Sequence, residues 1–246
     1  KKLYIKEEYL YKIVITQGIP EAYLAEKLKA WKRALPEDID LAYLPSPGLV
    51  KLRISSKGKI LRHLETKIDK SIEKLKKIIP DYYVATSKLP LEAVLGETLR
   101  NQNYTISTAE SCTGGNVAKK LTSIAGSSDY FEGSVVAYSN KIKQTILGVS
   151  QESINDYGAV SKEVVEEMVK GVNKLFKTDY SISITGIAGP GGGTKDKPVG
   201  TTWIAVSDGV RVVSEKYLFG SKRDVNIEKA SNTALGMMRK MILNKV

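Results

Sequence analysis

The chain has 246 residues, 42% of them hydrophobic and 26% charged, with a net charge of +11, one cysteine and one histidine. That length is ample for two soluble domains, and no apolar run reaches the roughly 18 residues of a membrane span. A single Cys112 excludes an internal disulfide, and a single His63 excludes a His–His metal site and leaves any Ser–His–Asp triad resting on one residue. Hydrolytic chemistry in this chain is therefore expected to use a base other than imidazole, and no metal or cofactor is expected.

The charge is uneven. Residues 1–86 hold 18 Lys and Arg against 11 Asp and Glu, and residues 87–246 hold 20 against 16. Such an excess attracts nucleic acid or anionic ligands, although a lysine-rich solvated surface is the simpler reading. The opening Lys1-Lys2-Leu3 has no signal-peptide core, and the lone cysteine suits a reducing compartment, so the expected location is the cytoplasm.

In chain order, Tyr11–Ile15 is β-prone, and Pro20 opens a helix with Ala22, Leu24, Ala25, Leu28 and Trp31 at helical spacing. Leu41–Leu44 and Leu49–Ile54 read as strands joined by Pro45-Ser46-Pro47-Gly48, a strong turn. A helix with apolar Ile60, Leu64, Ile68, Ile72, Leu75 and Ile79 on one side follows; Pro80 stops it, and Tyr82–Ala85 closes the set as a strand. The order βαββαβ is a split-βαβ, ferredoxin-like α+β pattern. No Gly-x-x-Gly clamp occurs in residues 11–85, and the aromatics there form no clear stacking platform, so nucleic acid is not expected as a partner.

Composition shifts at Thr86–Pro90, which places a domain boundary near residue 86/87 and a second domain over 87–246. A helix starts near Leu91; Tyr104–Thr108 is a strand that turns into a helix carrying Val117, Ala118 and Leu121. Ser134–Tyr138 is β-rich, Lys141–Ile146 and Lys162–Phe176 are helical, and Tyr180–Ile184 is a strand ending in a glycine-rich loop. Thr201–Ser207 and Arg211–Leu218 form a hairpin around Asp208-Gly209, and the last helix spans Val225–Leu243. Alternating strands and helices imply a three-layer α/β/α domain.

Four segments carry the candidate chemistry. In Thr108-Ala109-Glu110-Ser111-Cys112-Thr113-Gly114-Gly115, Ser111 stands at a strand-to-helix turn, where the amides of Thr113 and Gly114 are placed to hold an oxyanion. An N-cap serine and a nucleophilic Cys112 are the competing readings of that turn. In Tyr138-Ser139-Asn140-Lys141-Ile142-Lys143, a desolvated lysine can act as a base, with Ser139 an N-cap or a rival nucleophile. The loop Thr185-Gly186-Ile187-Ala188-Gly189-Pro190-Gly191-Gly192-Gly193-Thr194 matches neither the Walker nor the dinucleotide fingerprint, and it suits a small phosphorylated ligand. In Phe219-Gly220-Ser221-Lys222-Arg223, the guanidinium can hold a phosphate or carboxylate, or simply start a helix with a salt bridge.

The order of these four segments resembles the CinA family over about residues 88–243, and residues 11–85, with Gly18-Ile19-Pro20-Glu21 and Leu41-Ala42-Tyr43-Leu44-Pro45, are similar to the KH-like middle domain of full-length members. The molybdopterin-binding-like domain that precedes it in those members has no counterpart in these residues, so its metal-dependent pyrophosphatase chemistry is not carried over. Two departures stand out: Lys141-Ile142 replaces the usual Glu-Ala, and Gly220-Ser221-Lys222-Arg223 is longer than the usual Gly-Asp-Arg.

The resemblance implies a nicotinamide-nucleotide amidase that converts nicotinamide mononucleotide to nicotinate mononucleotide and ammonia. It implies Ser111 as nucleophile, Lys143 as its base, and Tyr138, Thr185 and Arg223 in the active site. Gly186, Ala188, Gly189 and Gly191 of the loop, with Thr113, Gly114 and Arg223, are expected to bind the nucleotide. A homodimer is implied as well. The alternative is a non-catalytic nucleotide-binding module of a competence- or damage-related protein.

Overall fold

A computed structural model describes residues 7–244, so the opening Lys1-Lys2-Leu3 lies outside the described residues. The chain forms two compact units that divide between Pro90 and Leu91.

The first unit contains β1 (Glu8–Gln17), α1 (Glu21–Lys27), α2 (Lys29–Arg33), β2 (Ile39–Ser46), β3 (Leu49–Gly58), α3 (Leu61–Ile78) and β4 (Tyr83–Thr86). Its sheet has the order β2-β3-β1-β4 with every pair antiparallel, the split-βαβ arrangement expected. Strand alternation sends Val14, Val50, Leu52 and Ile54 to the helix side, where Leu24, Leu28 and Trp31 meet the α3 stripe of Ile68, Ile72 and Leu75. The helix read from Pro20 to Trp31 is interrupted at Leu28, whose ψ of −1° splits it into α1 and α2. The first strand also begins three residues before Tyr11, at Glu8.

The second unit contains α4 (Leu91–Asn101), β5 (Ile106–Glu110), α5 (Asn116–Thr122), β6 (Phe131–Val136), α6 (Asn140–Leu147), α7 (Gln151–Tyr157), α8 (Lys162–Phe176), β7 (Tyr180–Gly186), β8 (Thr201–Ser207), β9 (Val212–Leu218) and α9 (Arg223–Ile242). The sheet order is β6-β5-β7-β8-β9: the first three strands are parallel, and the last two continue antiparallel. Helices α4, α5 and α9 pack on one another against one face, and α6 and α7 pack on α8 against the other. On the α8 side, the hydroxyls of Ser181 and Ser183 donate to the carbonyls of Val169 and Val165. Gly171 lets α8 approach α6: a Cβ there would stand 1.9 Å from the Leu147 carbonyl oxygen.

The chain leaves β5 through α5 to reach β6 on one side, and leaves β6 through α6–α8 to reach β7 on the other. The carboxyl end of β5 is thus a topological switch point, where an open α/β sheet leaves a crevice for a ligand. No described helix is long and apolar enough to cross a membrane.

Candidate active site

A cavity of about 290 Å³ opens at that switch point, near the lower end of the roughly 300–1,000 Å³ usual for ligand pockets. Ser111 and Cys112 line it from the turn after β5, Tyr138, Asn140 and Lys143 from the segment after β6, Ala159 and Val160 from the link before α8, and residues 185–189 with Gly191 and Gly192 from the end of β7 and its loop; Arg223 at the start of α9 completes it.

Ser111 extends the parallel ladder by one residue, its N–H donating to the Ile184 carbonyl at 3.0 Å. The next turn needs two left-handed residues, which Gly114 (φ 61°) and Gly115 (φ 96°) supply. Ser139 caps α6 by accepting the Ile142 N–H, which engages it in the N-cap role. Lys143 therefore lies in the first turn of α6, on the same buried stripe as Leu147 one turn later.

These elements bring the two principal side chains together. Lys143 Nζ is 3.0 Å from Ser111 Oγ and donates to the Ala137 carbonyl at 2.8 Å. Lys143 is 2% exposed and Ser111 7%. Among the described residues no carboxylate pairs with this ammonium, so desolvation dominates and lowers its pKa from the ordinary 10.5. A neutral amine keeps a lone pair, and the Ala137 carbonyl, by holding one N–H, helps turn that lone pair toward the Ser111 hydroxyl. The rival thiol of Cys112 is pushed up to about 12 by burial, which leaves almost no thiolate near neutrality.

The remaining candidates divide. Tyr138 is exposed at the mouth, and its phenolic oxygen accepts from Arg223 Nη2 at 2.9 Å. Arg223 Nη1 donates to the Gly189 carbonyl at 2.9 Å, so this guanidinium fastens the glycine loop to the rim. Gly186, Ala188, Gly189 and Gly191 all line the cavity. Thr185 lines it too, but its hydroxyl donates to the Ala159 carbonyl at 2.8 Å and not to Ser111 or Lys143. Thr113 and Gly114 lie outside the lining, and the Gly114 N–H donates to the Ser111 carbonyl at 3.1 Å.

Two residues of the site escaped the sequence reading. Glu110, fully buried, accepts the N–H groups of Gly115, Val117 and Ala118 at 2.8–3.1 Å, so its carboxyl group engages the amino end of α5. Its signal was a carboxylate closing an otherwise wholly buried strand. Asn226 donates to the carbonyls of Ala188 and Gly220 and accepts the Gly220 N–H. It carried no signal beyond being a buried amide in a helix.

Comparison with known proteins identifies the family. The family model for the CinA C-terminal domain matches residues 88–242, and that for the damage-inducible protein CinA KH domain matches residues 11–85. A CinA-like protein of Flavobacterium psychrophilum is 46% identical over 235 residues, covering 95% of this chain and 56% of that protein. One of Cytophaga hutchinsonii is 43% identical over 233 residues, with the same coverage. The chain thus spans a little over half the length of the curated relatives it matches. Among solved structures, a CinA superfamily protein of Klebsiella pneumoniae aligns with a TM-score of 0.61 at 30% identity, over 63% of this chain and 96% of that one. A competence/damage-inducible protein of Agrobacterium tumefaciens gives 0.59 at 34% identity, over 64% and 99%.

Proposed function

Since the chain belongs to the CinA family, we propose that its second unit is a serine amidohydrolase that deamidates nicotinamide mononucleotide. The observation that carries this reading is the buried contact of 3.0 Å between Lys143 Nζ and Ser111 Oγ. Neutral Lys143 takes the hydroxyl proton as Ser111 Oγ adds to the carboxamide carbon. The charged ammonium then returns the proton to the departing nitrogen, which leaves as ammonia. Water, activated by the same amine, opens the acyl-enzyme to nicotinate mononucleotide and restores the serine.

Arg223 and the glycine loop supply the recognition of the nucleotide's phosphate and ribose. The amide of Gly114 is engaged by the Ser111 carbonyl, so an oxyanion at this site needs either a local rearrangement or other donors. A cytoplasmic homodimer belongs to the same proposal, and light scattering after gel filtration tests its stoichiometry.

The deciding assay measures ammonia released from nicotinamide mononucleotide, with free nicotinamide and the dinucleotide run in parallel. Ser111→Ala and Lys143→Ala each abolish release, whereas Cys112→Ala keeps it. Turnover rises with pH until Lys143 is neutral. Retained activity in Ser111→Ala, or binding of the mononucleotide without product by the unaltered chain, ends the proposal.

A further inference from the structure

One wall of the cavity comes from the link between α7 and α8, where Ala159 and Val160 line the ligand space. Three successive carbonyls of this segment are each held by a side chain. The Lys197 ammonium donates to Tyr157, the Ser161 hydroxyl to Gly158 at 2.8 Å, and the Thr185 hydroxyl to Ala159 at 2.8 Å. Irregular backbone keeps a single shape only when such donors replace the bonds that a helix or strand would supply. Tyr157 ends α7, so its carbonyl has no partner within that helix.

Of the three donors, Lys197 reaches furthest. Ser161 is the N-cap of α8 and Thr185 belongs to β7, whereas Lys197 extends from the far part of the glycine-rich loop, 40 positions beyond Tyr157. Its backbone closes a turn: the Thr194 N–H donates to the Lys197 carbonyl at 2.9 Å, and the Lys197 N–H to Thr194 Oγ1 at 3.1 Å. The ammonium lies over Gly158, where a Cβ would stand 3.2 Å from Nζ. Lys197 is half-buried, and no carboxylate pairs with it among the described residues.

This wall stands at the reacting end of the cavity. Ser111 donates to the Ile184 carbonyl, and the next residue of β7, Thr185, holds Ala159. That chain of bonds sets Ala159 and Val160 beside the nucleophile, while Tyr138 and Arg223 bridge the mouth. Two apolar side chains in this place offer a surface to a flat ring and nothing to a phosphate.

We infer that Lys197 is a positioning residue for the ring end of the substrate, an inference that rests on the nucleotide reading above. By fastening the α7–α8 link to the glycine-rich loop, the ammonium keeps Ala159 and Val160 packed on the pyridine ring without touching the ligand itself. A phosphate contact is the competing role for a lysine in such a loop. The two roles give opposite results with a ligand that lacks phosphate.

The test separates binding from turnover. The Ser111→Ala chain is titrated by calorimetry with nicotinamide mononucleotide and with nicotinamide riboside, which keeps the ring and lacks the phosphate. Adding Lys197→Met weakens both ligands by the same factor, about fivefold, and Lys197→Arg, which keeps a donor for the carbonyl, recovers most of the loss. Lys195→Met, an equal loss of charge from the same loop, changes neither affinity. With Ser111 intact, Lys197→Met raises KM by that factor and leaves kcat unchanged. Hydrogen-exchange mass spectrometry without ligand gives faster exchange over residues 154–161 in Lys197→Met, where the Gly158 N–H donates to the Ile154 carbonyl, and no change in α5. A loss confined to the mononucleotide, unchanged affinity for both ligands, binding of neither, a fall in kcat at constant KM, or unchanged exchange overturns the inference. Absence of ammonia release by the unaltered chain, with binding and exchange as stated, ends the amidase reading and leaves Lys197 in its positioning role.

Discussion

The turn after β5 and the loop after β7 both stand at the carboxyl ends of parallel strands, both are rich in glycine, and both invite the same reading as cradles of backbone amides. They are built in opposite ways. The turn satisfies itself: Gly114 donates to the Ser111 carbonyl, and Gly115, Val117 and Ala118 donate to Glu110. The loop is held from outside, its Gly189 carbonyl by Arg223 and its Ala188 carbonyl by Asn226, while Gly191 and Gly192 face the cavity. Glycine marks where a backbone must bend or approach closely, but not which partner it meets. Damage to the turn should therefore appear in the chemical step and in stability, and damage to the loop in substrate affinity.

Lys143→Met, next to the turn, has the largest expected effect. Losing a positioned base lowers kcat by about a thousandfold, within the roughly 10²–10⁴ range for general base catalysis. The same variant has a pH signature in stability. The folded-state pKa of Lys143 lies below its ordinary 10.5, so between those values the unfolded chain binds more protons than the folded one. Wild-type stability relative to Lys143→Met therefore rises with pH across that window. It is lowest below the folded pKa, where both states are charged and the burial cost is felt in full. Paired urea melts over a pH series measure it, and a constant difference would show that burial does not disfavour the charged amine.

Glu110→Ala tests whether the turn depends on its own carboxyl group. Three N–H groups, that of Val117 buried and those of Gly115 and Ala118 half-buried, lose their acceptor, at a cost of about 3 kcal/mol, or a melting temperature lower by roughly 10 °C for a unit of this size. Residual enzyme keeps its KM, because none of those amides lines the cavity. A raised KM with unchanged melting would mean that these groups serve the ligand after all.

The sequence made the scaffold legible where periodicity was strong. The α3 and α8 stripes, the hairpin at Asp208-Gly209 and the alternation of strands with helices stand as read. Ser111, one residue past a strand and three before a glycine pair, suited an N-cap as well as a nucleophile, and it was the family motif that marked both Ser111 and Lys143. A charged residue four positions before Leu147 on a buried stripe is a purely physical signal for the same lysine. The role expected of Thr185 was not legible. Its hydroxyl continues the row set by Ser181 and Ser183, each of which bonds a carbonyl of the α8 layer or of the segment before it. That row appears only when β7 is laid against α8. The short α7 was missed because seven residues are too few for a helical period to stand out.

Asn226→Ala moves the test to the loop. The side chain is 2% exposed and makes bonds to Ala188 and Gly220, so the variant loses about 1–2 kcal/mol of stability. Its larger signature is a KM raised by about tenfold at a nearly unchanged kcat, the pattern of lost uniform binding. A fall in kcat at constant KM would place Asn226 with the turn and break the division.

The smallest effect comes from Gly191→Ala, and it separates the two kinds of glycine within the loop itself. A Cβ at Gly191 meets nothing within 4 Å, and its φ is not in the left-handed range, so stability stays within about 0.5 kcal/mol of wild type. The neighbour Gly193 offers the contrast: a Cβ there would stand 2.7 Å from the Val199 amide nitrogen, so Gly193→Ala must displace the backbone. Since Gly191 borders a cavity of only about 290 Å³, its new methyl group trims the space for the nucleotide and raises KM a few-fold without touching kcat. Equal destabilisation of the two variants would show that Gly191 is as closely packed as Gly193, and the open side of the loop would then not be where the ligand enters.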